Sequence, residues 1–480
     1  MSDIDRRRLI RKIGFKITPF VFVVSCLSQI DKMTLNYAGV LGIYHDTGIS
    51  HDQFGLVGSM LYVGQIVSQV SQHPSKAFIK LIRFKPMELP SAYIMQRVPM
   101  SKFLGVTTFL WGSTQALMAL ANTFPRLIAC RVLLGVFDAS VIPATTLIIK
   151  RFHPRSHQAF YIGLVYASIA LAIGLGSLFT YAMAHITSGG LSPWRWCFII
   201  WGVLSAICGV IVFFLLPDTL DSRYLALSNV EKDMARQVLD DAQRPTTQSI
   251  QWHHIRESLR ESRFYCQIII SILVSLPNSC IGNFSSQIIH EMGFSSLNSI
   301  LLNIPRSVYE IIAYIGFAYI IRHTRCKHQV SFTIASFMLI PFVGLLLLVV
   351  QPIPPAARLF GVCIAPTVFA LSGLQTLIST NVSGTTKVNF YLMTHVAGIT
   401  IGDYIGPIMM RDPPRYTRAM TGYLTATGVS ALLFVYYGWS LHYDNKRRCA
   451  YLTELPASDN DEKDFEDRTD VENKHFIYRP

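Results

Sequence analysis

Arg131 and Asp138 sit inside an apolar run that begins near Phe124 and ends at the basic pair Lys150–Arg151. Seven positions separate them, close to two turns of a helix, so they share one face. An ionised side chain at the bilayer centre costs at least about 2.5–3.5 kcal/mol and tends to mark a pathway. A carboxylate can carry a proton, and a nearby guanidinium can bind an anion or hold the carboxylate ionised. Two readings stand: a structural Arg–Asp bridge between bundled helices, or one wall of a substrate or ion pathway. Gly135, Ala139 and Pro143 follow the small-residue spacing that lets another helix approach closely. Asp31 and Lys32 interrupt a second apolar run, followed by Asn36 and Tyr37. Neighbours on a helix point about 100° apart, so these two need not pair. Either Lys32 snorkels outward and Asp31 is a polar contact between helices, or Asp31 serves transport. Tyr166, Asn278, Asn303 and Glu310 are further polar interruptions, and Arg306 stands one turn before Glu310, close enough to pair.

Membrane-spanning helices must position these groups. The chain has 480 residues, 51% hydrophobic and only 15% charged, whereas soluble domains carry about 25% charged residues. About 20 apolar residues cross a bilayer core. Such blocks recur at about 17–43, 53–69, 103–122, 124–150, 159–185 and 197–216, then at 264–284, 298–321, 330–350, 356–378, 390–410 and 416–443. The expected class is an all-α membrane protein of about twelve transmembrane helices in two six-helix halves, residues 17–216 and 263–443. A basic amino-terminal flank (1–16), a linker (217–262) and an acidic tail (444–480) complete the chain, and the tail is expected to be disordered. Pro277 and Pro305 suggest helix breaks. Trp252, Ile255 and Leu259 recur at helical spacing, as on a helix lying on the membrane surface.

The net charge of +13 is distributed between apolar blocks, which the positive-inside rule explains better than nucleic-acid binding does. It places both termini in the cytoplasm, although Arg411, Arg415 and Arg418 fall on the outer side. The nine cysteines show no paired spacing, so neither disulfides nor a zinc site is read from them. His253–His254 has no third ligand in view. No metal and no cofactor are expected. No GxSxG, HExxH or Walker A pattern is present, so an enzyme and an ATP-driven pump are both disfavoured.

Six helices, a cytoplasmic linker and six helices resemble the major facilitator superfamily. Narrower motifs look like the fungal anion:cation symporters of the allantoate permease type. They are Asp31-Lys-Met-Thr-Leu-Asn-Tyr37, Tyr93-Ile-Met-Gln-Arg97 with Lys102, and Arg131-Val-Leu-Leu-Gly-Val-Phe-Asp-Ala-Ser140. Ser192-Pro-Trp-Arg-Trp196, Asn283-Phe-Ser-Ser286, Leu301-Leu-Asn-Ile-Pro305 with Glu310, Asn381-Val-Ser-Gly384 with Lys387, Gly406-Pro407 and Pro414-Arg-Tyr416 continue the match. The resemblance covers about residues 5–448. It implies a monomeric, multi-pass transporter of the plasma membrane, taking up a small organic anion such as a carboxylate, with protons. The halves would rock about a midplane site. Together with the polar interruptions read above, it puts Asp31, Asn36, Arg131, Asp138, Tyr166, Asn278, Asn303 and Glu310 along the expected substrate or proton pathway, and Arg97 and Lys102 in a gating loop. Departures from the family pattern include Asp138 in place of Glu, Tyr161 in place of Arg, Ile169 in place of Asn, and Asp403 in place of Asn.

Residues 70–87, VSQHPSKAFIKLIRFKPM, are basic and unlike their flanks, where a short connection is the norm. Val-Ser is what an in-frame splice donor of the common fungal type encodes. A retained intron and a genuine cytoplasmic insertion both stand. The alternatives to uptake are therefore efflux of a fungal metabolite, or an inactive product of faulty splicing.

Overall fold

The computed structural model describes residues 3–72, 98–186, 190–240, 251–323, 329–350, 352–411, 413, 415–454, 469–473 and 476–479. Its architecture is all-helical. Among the described residues, 10 helices are long and apolar enough to cross a membrane. Two more, His51–Gln72 and Thr385–Ile408, have spanning length with a more polar composition.

The first compact unit comprises Met1–Pro245 with Gly282–Val308. In it run α1 (Asp3–Ala38), the short α2 (Ile43–Thr47), α3 (His51–Gln72), α4 (Met100–Leu117), α5 (Phe124–Asp138), α6 (Val141–Phe152), α7 (Arg155–Met183), α8 (Pro193–Leu215) and the amphipathic α9 (Asn229–Asp240). Ile17, Val24, Leu61, Leu104, Trp111, Leu134, Ile148, Trp201 and Val212 form its core. The first helix starts earlier than expected, at Asp3, and ends at Ala38 rather than near Ile43. Gly42 and Gly48, at φ of 102° and 66°, bracket the short α2 that turns the chain.

The second unit comprises Thr246–Ile281 and Tyr309–Pro480. It contains α10 (Trp252–Ser258), most of α11 (Ser262–Glu291), the later part of α13 (Asn303–His323), then α14 (Val330–Phe337), α15 (Leu339–Val349), α16 (Pro355–Ile364), α17 (Val368–Asn381), α18 (Thr385–Ile408) and α19 (Thr417–Glu454). The remaining helix, α12 (Ser296–Leu301), belongs to the first unit. Of the three residues expected on one face there, Trp252 and Leu259 are exposed and Ile255 is half-buried.

Proline decides where several spans break. New helical pieces start at Val141, Asn303 and Leu339, each two residues before a proline: Pro143, Pro305 and Pro341. A proline offers no N–H to the carbonyl four residues earlier and its ring crowds that carbonyl, so the helix ends just upstream. The break expected at Pro305 is therefore seen, whereas the one expected at Pro277 is not. There α11 runs unbroken from Ser262 to Glu291. A spanning helix tolerates such a proline where the freed backbone groups find other partners.

The tail departs from the expected disorder. α19 reaches Glu454, and residues 469–473 and 476–479 pack against the second unit, with Tyr478 inside its core. The acidic composition concealed two apolar anchors, Phe476 and Tyr478, and a carboxylate matched to a buried lysine. Of the basic stretch 70–87, residues beyond Gln72 lie outside the described part of the chain, as does Arg97.

Candidate substrate and proton pathway

The first unit gathers most of the expected pathway residues at two levels. At the first level α3 and α5 lie backbone to backbone. A Cβ on Gly64 would fall 2.1 Å from the Val132 carbonyl oxygen, and one on Gly135 would fall 1.9 Å from that of Leu61. Only glycine permits that approach. It carries Gln65, the neighbour of Gly64, to Asp138, whose Oδ2 accepts from Gln65 Nε2 at 2.7 Å. From α1, Ser28 Oγ donates to Asp138 Oδ1 at 2.5 Å, and Lys32 Nζ stands 2.9 Å from Oδ2. Asp138 is thus a buried carboxylate with three partners. Its cation is Lys32 of α1; the outward snorkelling reading of Lys32 does not hold. Ser28 and Lys32 are one turn apart on α1, so one face of that helix supplies both contacts.

Asp31, on the adjoining face of α1, is fully buried. Its Oδ2 accepts from Ser205 Oγ of α8 at 3.3 Å, and Arg131 and Asp138 lie within electrostatic reach. Arg131 is 1% exposed, and its Nε and Nη2 meet no hydrogen-bond partner among the described residues; nor does Asp31 Oδ1. Thr108, Trp111 and Gln115 occupy one face of α4 and are fully buried, and Trp111 faces Asp31. Among the described residues, both polar atoms of Gln115 and the Thr108 hydroxyl likewise find no partner. Buried polar groups are ordinarily paired. A guanidinium with free donors beside a carboxylate with a free acceptor is an arrangement that can exchange a proton or receive an anion.

The second level joins Asn36 to the segment 282–308. Asn36 Nδ2 donates to Ser285 Oγ at 2.8 Å, and its Oδ1 accepts from the Ser286 backbone N–H at 3.0 Å. Asn303 closes the network, accepting from Ser285 Oγ at 2.6 Å and donating to Ser286 Oγ at 2.9 Å. Arg306 Nη1 reaches Ser285 Oγ at 3.4 Å. Polar residues from three separate stretches, at 36, 285–286 and 303–306, meet because each interrupts an apolar helix, where only another polar group satisfies it. Tyr166 is half-buried on α7 in this unit. Asn278 (half-buried) and Glu310 (buried) belong to the second unit.

Sequence reasoning missed Ser28, Gln65 and Ser205. The spacing of Ser28 to Lys32 and the Gly64–Gln65 pair were the available signals. Lys102 is anchored: its ammonium donates to the Phe213 carbonyl and lies 4.4 Å from that ring's centre. On the opposite side of the bundle, the Ser192–Trp196 motif forms a staple. Asp46 accepts from Ser192 Oγ and from Trp194 Nε1 at 2.9 Å, and Arg195 donates to the Ala119 carbonyl at 2.7 Å and to Asn122 Oδ1 at 2.8 Å.

The second unit holds a different cluster at the end of α17 and the start of α18. Lys387, fully buried, meets three carboxylates: Glu257 at 2.7 Å, Glu261 at 2.5 Å and Asp470 at 2.8 Å. Asp470 comes from the tail and also accepts from Tyr478 Oη at 2.8 Å, while its carbonyl accepts from Arg448 Nη2 at 2.8 Å. Asn381 and Asn445 each exchange two hydrogen bonds with tail backbone, at Arg479 and Tyr478 respectively. The tail is a strap fastened to this face. It also brings Glu472 to His253 and His254.

A family model described as Major Facilitator Superfamily matches residues 86–407. The chain belongs to the major facilitator superfamily. Its fold agrees with solved members. A D-xylose–proton symporter aligns with a TM-score of 0.63 at 14% identity, covering 88% of this chain and 97% of that one. A bacterial homologue of the human lysosomal transporter Spinster aligns with a TM-score of 0.60 at 13% identity, covering 91% and 96%. By sequence the chain is 29% identical over 481 residues to an uncharacterized transporter of Schizosaccharomyces pombe, spanning 98% of this chain and 89% of that protein. It is 24% identical over 484 residues to the thiamine pathway transporter of Saccharomyces cerevisiae, spanning 98% and 86%. The protein is a multi-pass membrane protein of a transporter superfamily, and its relatives are named transporters rather than enzymes.

Proposed function

We propose that this superfamily member is a proton-coupled secondary transporter of a small organic anion, a carboxylate of the kind handled by allantoate permease-like symporters. It works by alternating access, as a monomer in the plasma membrane with both termini in the cytoplasm. The observation that carries the reading is the Asp31–Arg131 site. Two buried, oppositely charged groups there keep hydrogen-bonding atoms that meet no partner among the described residues. Asp31 takes the proton role, because its Oδ1 accepts no hydrogen bond that the described residues' geometry supports. Asp138 is already engaged by Lys32, Ser28 and Gln65 and serves as the fixed counter-charge of α1. Arg131 supplies the positive charge that holds Asp31 ionised when the proton leaves, or that meets the substrate anion. Asn36, Asn303 and Tyr166 line the path in the first unit; Asn278 and Glu310 do so in the second.

The test is uptake of a panel of radiolabelled carboxylates at external pH 5 and pH 7 in a permease-deficient yeast, with the full chain and with one lacking 70–87. The expected result is acid-stimulated uptake of at least one carboxylate. Asp31→Asn is expected to abolish the acid stimulation and Arg131→Ala to abolish uptake, with both variants at the cell surface. Undiminished, acid-stimulated uptake by Asp31→Asn would remove the proton role assigned to that residue.

A further inference from the structure

We propose that His253, His254 and Glu472 form a binding site for a divalent transition-metal ion of the zinc class, fastening the carboxy-terminal strap to the linker helix α10. One ligand atom from each residue lies within 4.8 Å of the others, and His253 Nε2 is already 3.5 Å from Glu472 Oε1. Ligand atoms of a tetrahedral zinc site with bonds of about 2.0–2.2 Å stand roughly 3.4 Å apart. The histidine–glutamate pair thus holds that spacing already, and His253 and Glu472, both exposed, are free to close the rest.

Adjacent histidines on a regular helix diverge by about 100°. Here they open the first turn of α10, and their rings come together with centroids 4.4 Å apart. The site is held from both sides. His254 is buried against Gly384, where a Cβ would fall 3.0 Å from its Cε1. Glu472 is oriented by a reciprocal turn: its Oε2 accepts from the Thr469 N–H at 3.0 Å, and its own N–H bonds Thr469 Oγ1 at 3.2 Å. That leaves Oε1 directed at His253. Thr469 Oγ1 in turn donates to Glu257 Oε2 at 3.0 Å on α10, and the neighbouring Asp470 is clamped by Lys387. Two imidazoles and one carboxylate suit zinc and its neighbours in the first transition row, and disfavour magnesium and calcium, which take oxygen ligands. Three protein ligands leave a fourth position for water. The site concerns the tail and includes none of the residues assigned to the transport pathway.

The experiment uses the full chain, purified without a histidine tag, in detergent. Zn2+ alone is titrated against a fluorescent chelator, with Mg2+ as control, and hydrogen exchange is followed in residues 469–479. The expected result is one saturable Zn2+ site, no response to Mg2+, and slower exchange in the strap on Zn2+ addition. Altering even the groups that orient a metal ligand costs about 10–100-fold in affinity, so His253→Ala and Glu472→Gln should each weaken binding at least about tenfold. His442→Ala, an exposed histidine on α19, should leave it intact. Both ligand changes fall on exposed side chains, so a monodisperse protein is expected for each. Absence of saturable Zn2+ binding, binding unchanged in both variants, or a strap whose exchange ignores Zn2+ would overturn the proposal; a simple His–Glu ion pair would then remain.

Discussion

Lys32→Met isolates Asp138. In the native protein the Asp138 side chain is 3% exposed and that of Lys32 is 23% exposed, with 2.9 Å between Nζ and Oδ2. Removing the lysine strands a buried carboxylate whose other contacts, Ser28 and Gln65, are neutral. Breaking one half of a buried ion pair costs about 3–5 kcal/mol. The partial exposure of Lys32 lets solvent screen some of the loss, which places the expectation at the lower end, about 3 kcal/mol. The double variant Lys32→Met/Asp138→Asn removes both charges and leaves an amide that Ser28 and Gln65 can still meet. It should regain most of that loss, because replacing both members of a pair is far milder than removing one. Unfolding in mixed micelles, followed by tryptophan fluorescence as denaturing detergent is raised, gives the difference between the four members of the cycle. A double variant as unstable as the sum of the two single changes would refute the pairing. Uptake by the same four proteins separates structure from mechanism. Restored stability with restored uptake assigns Asp138 a scaffold role, and restored stability without uptake puts it on the pathway.

Gly135→Ala should leave little folded protein at the cell surface, since its Cβ would stand 1.9 Å from the Leu61 carbonyl oxygen on a facing helix; fluorescence of a carboxy-terminal fusion after gel filtration reads the loss. The staple at Asp46 gives a prediction with a sign. Partial burial raises the Asp46 carboxyl's pKa, but hydrogen bonds from Ser192, Trp194 and Arg195 outweigh that and hold it below the ordinary range. Its contribution to stability is therefore complete above about pH 3.9, the unperturbed value, and is lost as pH falls through the depressed value. Between pH 7 and pH 5 it is constant, so Asp46→Asn should lower thermal stability by about 1–3 kcal/mol yet keep any acid stimulation of uptake. Loss of the acid response in that variant would show that the staple, and not Asp31, senses the proton.

The helical order and the embedded charges at 31, 131 and 138 were legible because each stood out against an apolar run. The partner of Asp138 was not. Lys32 could be assigned to lipid only if α1 had a lipid face at that turn, and Asp31, Met33, Thr34 and Asn36 around it are all buried. The rotation of α1 within its unit is set by packing, which periodicity alone does not report. Pro305 and Pro277 show the same limit: one ends a helix and the other is absorbed, and the difference lies in the surrounding partners. The strap was hidden by composition. An acidic stretch reads as solvated until a buried lysine elsewhere in the chain asks for its carboxylate, and that lysine, Lys387, lies 83 positions from Asp470.

The membership of segment 282–308 in the first unit bears on how such genes can be recombined. The unit boundary is crossed at 245/246, 281/282 and 308/309. A chimera joined at the linker, taking the first half from one transporter and the second from a relative, would therefore import a foreign 282–308. Asn36 would face another protein's version of Ser285, Ser286 and Asn303, Tyr44 another Gln287, and the Ala170 carbonyl another Ser307. The heritable module is the half together with this excised stretch, and a productive crossover must respect all three seams.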